Sequence, residues 1–97
     1  MNRLSEVGID SIRNYDTYEN LYRQFVKREY ANNAEADLIR TLEHEGEKVF
    51  GGESFTFSIA MDAEKVIGNA SSLVFYFSVD FLEETKEPEI MYSYFEV

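Results

Sequence analysis

A lone histidine among carboxylates and one Glu-Thr-Lys triplet are the residues of this sequence that could do chemistry. His44 lies in the run HEGE, which lacks the second histidine of a HExxH zinc site, so we expect a solvent-exposed side chain. Glu84, Thr85 and Lys86 form an ExK triplet, which metal-dependent nucleases pair with an upstream acid. A nuclease must also hold DNA, and a net charge of −10 repels DNA. We therefore interpret the triplet as a charged hairpin turn.

Other catalytic patterns are missing from the sequence. There is no cysteine, so a thiolate nucleophile, a thiolate metal site and a disulfide are all excluded. No serine lies in a GxSxG elbow, and Gly51 and Gly52 are not followed by the Lys-Ser or Lys-Thr of a phosphate-binding loop. No DxDxDG calcium loop is present either. We expect a protein that is not an enzyme and needs no cofactor.

The elements that position these residues belong to one domain, residues 1–97. A hydrophobic share of 44%, with eight Phe and seven Tyr, is enough for one modest core. The first fifteen residues contain no apolar run of signal-peptide length, and no stretch approaches the length of a membrane span. We expect a cytoplasmic protein that binds neither membranes nor, given its charge, nucleic acid directly.

The part up to residue 50 reads as helical. From Asp16 to about Tyr30 apolar residues recur every three or four positions, and Asp16 with Glu19 resembles a capping box. Asn32 with Glu35 can cap a second helix with the apolar face Leu38, Ile39 and Leu42. That helix ends at Gly46, or continues to Val49 before Gly51 and Gly52. A short third helix is expected within residues 1–14.

Residues 53–97 alternate with the period of β-strands. The first strand directs Phe55, Phe57, Ile59 and Met61 to one side, and a second strand follows at Leu73–Leu82. The second is apolar on both faces, which favours the central position. The run EETKEPE forms a hairpin to a third strand at Ile90–Val97. The predicted fold is α+β, with two or three N-terminal helices packed on a three-stranded antiparallel β-sheet.

Acidic residues are concentrated in the last two thirds of the chain: residues 29–97 contain fifteen acidic and four basic side chains. Two groups lie on predicted elements, one on the second helix and one around the last hairpin, with further acids at strand ends. The candidate partner-binding residues are Asp37, Glu43, Glu47, Asp62, Glu64, Asp80, Glu83, Glu84, Glu87 and Glu89. Tyr76, Tyr92 and Tyr94 are secondary candidates, because a phenol ring on a sheet face can stack on arginine; the alternative is that they are half-buried packing residues.

Carboxylates two residues apart on a strand, or one turn apart on a helix, are about 6 Å apart. That spacing is close to the spacing of phosphates along a DNA strand, so a rigid acidic face can occupy a Lys/Arg groove built for DNA. In size, lack of cysteine and display of acids such as Asp80, Glu83 and Glu84, the chain resembles the small phage-encoded DNA-mimic inhibitors of the anti-CRISPR and anti-restriction type. The resemblance rests on no sequence motif. It implies a basic nucleic-acid-binding target in the host cytoplasm, such as a CRISPR effector complex.

Three alternative explanations fit the same acidity. The acidity could serve a generic protein-protein interaction module, or only solubility. An immunity protein that neutralises a basic nuclease toxin would use the same electrostatics. Adaptation to high salt is a further alternative, although fifteen aromatic residues count against it. The oligomeric state is not determined by the sequence, since an exposed edge at Ile90–Val97 could pair with a second copy.

Overall fold

A computed structural model describes residues 7–46, 53–85 and 87–97. Two α-helices precede three β-strands, which confirms the predicted α+β arrangement: α1 is Tyr15–Phe25, α2 is Ala34–Gly46, β1 is Phe55–Asp62, β2 is Ser72–Phe81 and β3 is Pro88–Glu96. Short 3-10 turns occur at Ile9–Ser11, Arg28–Tyr30 and Ala63–Lys65. A short helix was predicted within residues 1–14: the described part of that region contains the first of these turns, and residues 1–6 lie outside the described residues.

The three strands form an antiparallel meander in the order β1-β2-β3, so β2 is central as predicted. Alternate side chains on each strand face the helices, and those on β2 are the most deeply buried because both neighbouring strands flank them. The buried set on β1 and β2 comprises Phe57, Ile59, Met61, Leu73, Phe75, Phe77 and Val79. The period-2 pattern of the sequence therefore identified the core face of these two strands correctly.

Both helices pack on that face, and aromatic rings dominate the contact. Tyr18 of α1 meets Phe75 and Phe77 edge-on at 5.1 Å between ring centroids, and Tyr22 stacks on Phe75 at 5.9 Å. The Tyr18 hydroxyl donates a hydrogen bond of 2.7 Å to the carbonyl of Ala34, which ties α1 to the start of α2. Such ring pairs contribute beyond the area they bury, so this cluster stabilises the helix-sheet contact.

The predicted helix limits needed correction. α1 begins at Tyr15 after Asn14, which adopts a left-handed conformation with φ 60° and makes no side-chain cap, so the Asp16 cap was wrong. The helix ends at Phe25, before Tyr30, because Val26 turns extended and bridges to Val66. Tyr30 still packs against the core, now from a 3-10 turn, which explains why the helical spacing continued too far.

The start of α2 also differs from the prediction. The Asp37 N–H donates to the Asn33 carbonyl at 2.9 Å, so the capping position falls one residue after Asn32. The described part of α2 reaches Gly46. The predicted alternatives for its end, at Val49 or at Gly51 and Gly52, lie outside the described residues.

An extra residue in β3 changes which side chains face the core. Phe77 is opposite Tyr92, whereas Tyr76 is opposite Tyr94, so Ser93 has no partner of its own. Because one inserted residue reverses the alternation, Tyr92 is buried in the core while Tyr94 points to the open face. Strict alternation had predicted the same face for both tyrosines.

Candidate functional site

Five carboxylates on or beside the β2–β3 hairpin, together with Glu53 just before β1, lie at one end of the sheet, which we term the hairpin end. In an antiparallel meander the start of β1, the end of β2 and the start of β3 meet at the same end. The acidic residues placed there are Glu53, Asp80, Glu83, Glu84, Glu87 and Glu89. Five of the ten candidate residues are thereby brought together.

The hairpin loop holds its carboxylates on a closed backbone. The Leu82 N–H donates to the Glu87 carbonyl at 3.0 Å, and the Glu87 N–H donates to the Thr85 hydroxyl at 3.3 Å. The side chains of Glu83, Glu84 and Glu87 are exposed to solvent. Because these bonds hold the backbone at Leu82 and Glu87 and leave the carboxylates unbound, the three charges can meet a partner from an ordered base.

Asp80 and Glu89 form a like-charged pair directly opposite each other on β2 and β3. Like charges in this position destabilise a sheet. Each carboxylate has its own donor: the Ser54 hydroxyl donates to Asp80 Oδ1 at 2.6 Å, and Arg13 Nε donates to Glu89 Oε1 at 2.8 Å. The two donors fix the direction of both carboxylates. Neither Ser54 nor Arg13 was identified from the sequence, because both lie far from their partners along the chain.

Asp62 and Glu64 lie at the opposite end of the sheet, which we term the distal end. Asp62 is paired with Ser72, eight residues from Asp80 along β2, which corresponds to about 26 Å. Basic residues accompany them, since Lys65 follows directly and the Lys27 N–H donates to the Lys65 carbonyl at 2.8 Å. The predicted residues therefore do not form one continuous acidic face. Charge is strongly negative at the hairpin end and mixed at the distal end.

The candidates on α2 have different environments. Glu43 and His44 are exposed, as expected for the polar side of this helix. The Asp37 side chain is only 15% exposed and accepts hydrogen bonds from the Tyr22 hydroxyl and the Arg40 guanidinium, so it links α2 to α1. Burial, together with this bond to Asp37, raises the pKa of the Tyr22 hydroxyl. Glu47 lies outside the described residues.

The face of the sheet that the helices leave open carries a tyrosine pair. The rings of Tyr76 and Tyr94 stack with centroids 4.6 Å apart, and Tyr94 is 52% exposed. The Tyr76 hydroxyl donates to Glu96 at 3.3 Å. Two of the three predicted tyrosines are therefore on the solvent side, whereas Tyr92 packs against Phe77 in the core.

The described part of the chain contains no group of three His, Cys, Asp or Glu side chains arranged to hold a metal ion. Glu84 and Thr85 are part of the exposed turn, as predicted, and Lys86 lies outside the described residues. An open cleft of about 490 Å³ lies at the start of α1, where Asp10, Asp16 and Thr17 contribute polar groups. Its lining includes neither a histidine nor a lysine that would activate a nucleophile.

No family model matches the chain, and neither the curated proteins nor the solved structures contain a match to it. Within residues 7–46, 53–85 and 87–97, no helix combines the length and the apolar character needed to cross a bilayer.

Proposed function

We propose that this protein is a DNA-mimic inhibitor whose hairpin end enters the positively charged nucleic-acid-binding groove of a target and blocks access of DNA. A CRISPR effector complex is a target of this kind. The observation that carries the proposal is the convergence of six carboxylates at the hairpin end, two of them held by dedicated donors. Because we assign binding and not catalysis to this surface, the protein acts in this proposal without a cofactor.

The cost of the Asp80–Glu89 pair supports a functional reading of the charge. A sequence optimised only for folding would avoid like charges on directly opposed residues, and proteins break such local rules mainly at functional sites. A cationic groove offsets that repulsion, since Asp80 gains a Lys or Arg partner and Glu89, already paired with Arg13, gains further positive charge nearby. The carboxylates are already oriented, so less conformational entropy is lost on binding than a disordered acidic tail would lose.

Tyr76 and Tyr94 extend the same surface along the open face of the sheet. Their stacked rings offer an exposed aromatic plane, on which an arginine guanidinium of the target can lie. Grooves that bind DNA supply such arginines, because Arg and Lys make many of the contacts to the phosphates. In this proposal the hairpin end supplies charge, and the tyrosine pair supplies contact area.

The experiment that tests the proposal is competition with DNA. The tagged protein is used to capture basic nucleic-acid-binding complexes, including CRISPR effectors and restriction enzymes, and each captured complex is then titrated with labelled DNA. The proposal expects DNA and the protein to exclude one another, with an affinity that falls steeply as salt rises. Simultaneous binding of DNA and the protein would contradict it. A captured nuclease toxin that loses activity while it still binds DNA would instead favour an immunity protein.

Two triple variants with the same change in charge separate local from total acidity. Glu83→Gln, Glu84→Gln and Glu87→Gln together remove three exposed carboxylates from the hairpin loop. At about 0.5 kcal/mol for each exposed ion pair, binding should weaken about tenfold. The control combines Glu29→Gln, Asp62→Asn and Glu64→Gln, three exposed carboxylates around the distal end. It removes the same amount of charge and should change affinity by less than about threefold. Equal losses in both variants would show that only net charge matters.

A further inference from the structure

The sheet has two edges, and among the described residues only part of the β3 edge is hydrogen-bonded to another segment. On β3, the Arg13 N–H donates to the Ile90 carbonyl and the Tyr92 N–H donates to the Arg13 carbonyl, each at 3.0 Å. On the outer edge of β1, no backbone group of the described residues makes a comparable bond. Within the described residues the edge of β1 is therefore open, whereas the edge of β3, where the sequence predicted an exposed strand, is bonded at Ile90 and Tyr92.

The two hydrogen bonds of Arg13 show which β3 residues point their N–H and C=O away from β2, and the rest of the sheet follows from them. The N–H and C=O of one strand residue point to the same side, and the side alternates along the strand. Ile90 and Tyr92 point outward from β3, so Met91 bonds inward to its partner Ser78 on β2. The neighbours of Ser78 on β2 must then bond to β1.

The same alternation can be carried across to β1. The backbone groups of Phe77 on β2 point to β1, so Phe77 forms backbone hydrogen bonds with its partner Phe57. The same holds for the pairs two residues away on either side, Phe55 with Val79 and Ile59 with Phe75. The residues between these pairs point their N–H and C=O to the outer edge, where they make no hydrogen bond to another described residue. These residues are Thr56, Ser58 and Ala60.

The composition of β1 lacks the features that natural edge strands use against pairing. Residues 54–61, SFTFSIAM, contain no charge and no proline, and β1 pairs with β2 without a bulge. The charged residues Glu53 and Asp62 stand only at its two ends. In a chain with 28 charged side chains, this is an unusually neutral segment to leave at an open edge.

We propose that β1 pairs antiparallel with β1 of a second copy of this chain, around a two-fold axis at Ser58, to form a continuous six-stranded sheet. In this register Thr56 meets Ala60 of the second copy through the free backbone groups. On the core side Phe57 meets Ile59, so apolar side chains adjoin apolar side chains. Both copies contribute the same surface, as a two-fold interface requires.

The distribution of charge favours this antiparallel arrangement. β1 runs from the hairpin end to the distal end, so reversing the second copy places each hairpin end beside a distal end. Lys65 and Lys27 lie at the distal end together with Asp62 and Glu64, so each hairpin end of the dimer adjoins mixed charge and not a second acidic end. The two acidic ends point in opposite directions, and their mutual repulsion is small at a separation beyond the Debye length of about 8–10 Å.

Cysteine cross-linking tests the pairing directly, because the natural chain has no cysteine. Across the proposed axis the two Ser58 residues form a hydrogen-bonded pair, with Cα atoms and Cβ atoms each about 5.5 Å apart. Because a disulfide needs Cβ atoms about 3.5–4.5 Å apart, Ser58→Cys should give a covalent dimer with a short reagent that joins two thiols. Ala60→Cys is the matched control, because its two copies would be about 13 Å apart. Equal cross-linking of both variants, or none with Ser58→Cys, would overturn the proposed register.

Mass measurement by light scattering gives an independent test. The wild-type chain should reach twice its monomer mass of 11.3 kDa at concentrations of tens of micromolar. Ser58→Pro removes one outward N–H and no bond to β2, so the folded variant, checked by circular dichroism, should be monomeric. Ser58→Thr keeps the N–H and should remain dimeric.

A monomeric wild-type chain at all concentrations would overturn the proposal. Amide protection on β1 that appears only with a bound target would overturn it as well, and would assign this edge to a strand of the target. The dimer does not depend on the proposed DNA mimicry. A monomeric chain could still displace DNA, and a dimer could fail to do so, so the two tests distinguish the two claims.

Discussion

Replacing Asp80 by asparagine should make the protein more stable, although it removes part of the candidate site. Asp80 and Glu89 are directly opposed on β2 and β3, and two carboxylates about 6 Å apart in water repel by about 0.7 kcal/mol. Asparagine keeps an oxygen that accepts the hydrogen bond from the Ser54 hydroxyl. Arg13 remains paired with Glu89. Because the charge of Arg13 offsets part of this repulsion, the expected gain is at most about 0.5 kcal/mol in the free energy of unfolding, or about 2–4 °C in melting temperature.

Urea denaturation at low and high salt measures this effect. The gain should shrink as salt rises, because the Debye length falls to about 3 Å at 1 M and the repulsion is screened. Asp62→Asn is the matched control: it changes the net charge equally, but Asp62 faces the uncharged Ser72, so stability should change little. Destabilisation by Asp80→Asn, or a gain that does not respond to salt, would refute the assignment of repulsion to this pair.

Three other predictions concern the scaffold. Tyr18→Phe removes the hydrogen bond from the Tyr18 hydroxyl to the Ala34 carbonyl. That carbonyl keeps its partner within α2, so the free energy of unfolding, measured by urea denaturation, should fall by only about 1 kcal/mol. Gly68→Ala should lower the free energy of unfolding by about 1 kcal/mol, because Gly68 has φ +82°, which an L side chain disfavours. Gly8→Ala is the control: both sites have open space for a Cβ, but Gly8 has φ −70°, so stability should hardly change. Burial raises the pKa of the Tyr18 and Tyr22 hydroxyls above the ordinary value of about 10. Above that pH these two hydroxyls ionise only in the unfolded chain, so the free energy of unfolding should fall as pH rises. Tyr18→Phe removes one of the two groups and should make that fall smaller.

The parts of the fold that follow from regular periodicity were predictable from the sequence. The alternation in β1 and β2 identified the core face because side chains on a strand repeat every two residues. A single inserted residue, Ser93, defeated the same reasoning for Tyr94, because a bulge has no periodic signature. The helix limits failed for a related reason, since Asn14 and Val26 stop α1 through backbone conformations that tertiary contacts select.

The candidate site was predictable only in part. The acids of the hairpin lie close together in the sequence, so Asp80 through Glu89 could be grouped before the fold was known. Asp62 and Glu64 were grouped with them on charge alone, although the antiparallel order of the strands already separates the end of β1 from the end of β2. Asp37 carried no sequence feature that distinguished a buried, hydrogen-bonded carboxylate from a surface one. Charge could be counted from the sequence, whereas its location required the fold.

Hydrogen exchange on the protein bound to a DNA-binding target that it captures tests the central claim most directly. If the hairpin end enters the groove, the amides of residues 83–85, which lie in an exposed turn, should exchange more slowly in the complex. Amides of residues 62–67 at the distal end should be unchanged. Protection of the distal end without protection of the hairpin loop would contradict the assignment of the binding surface.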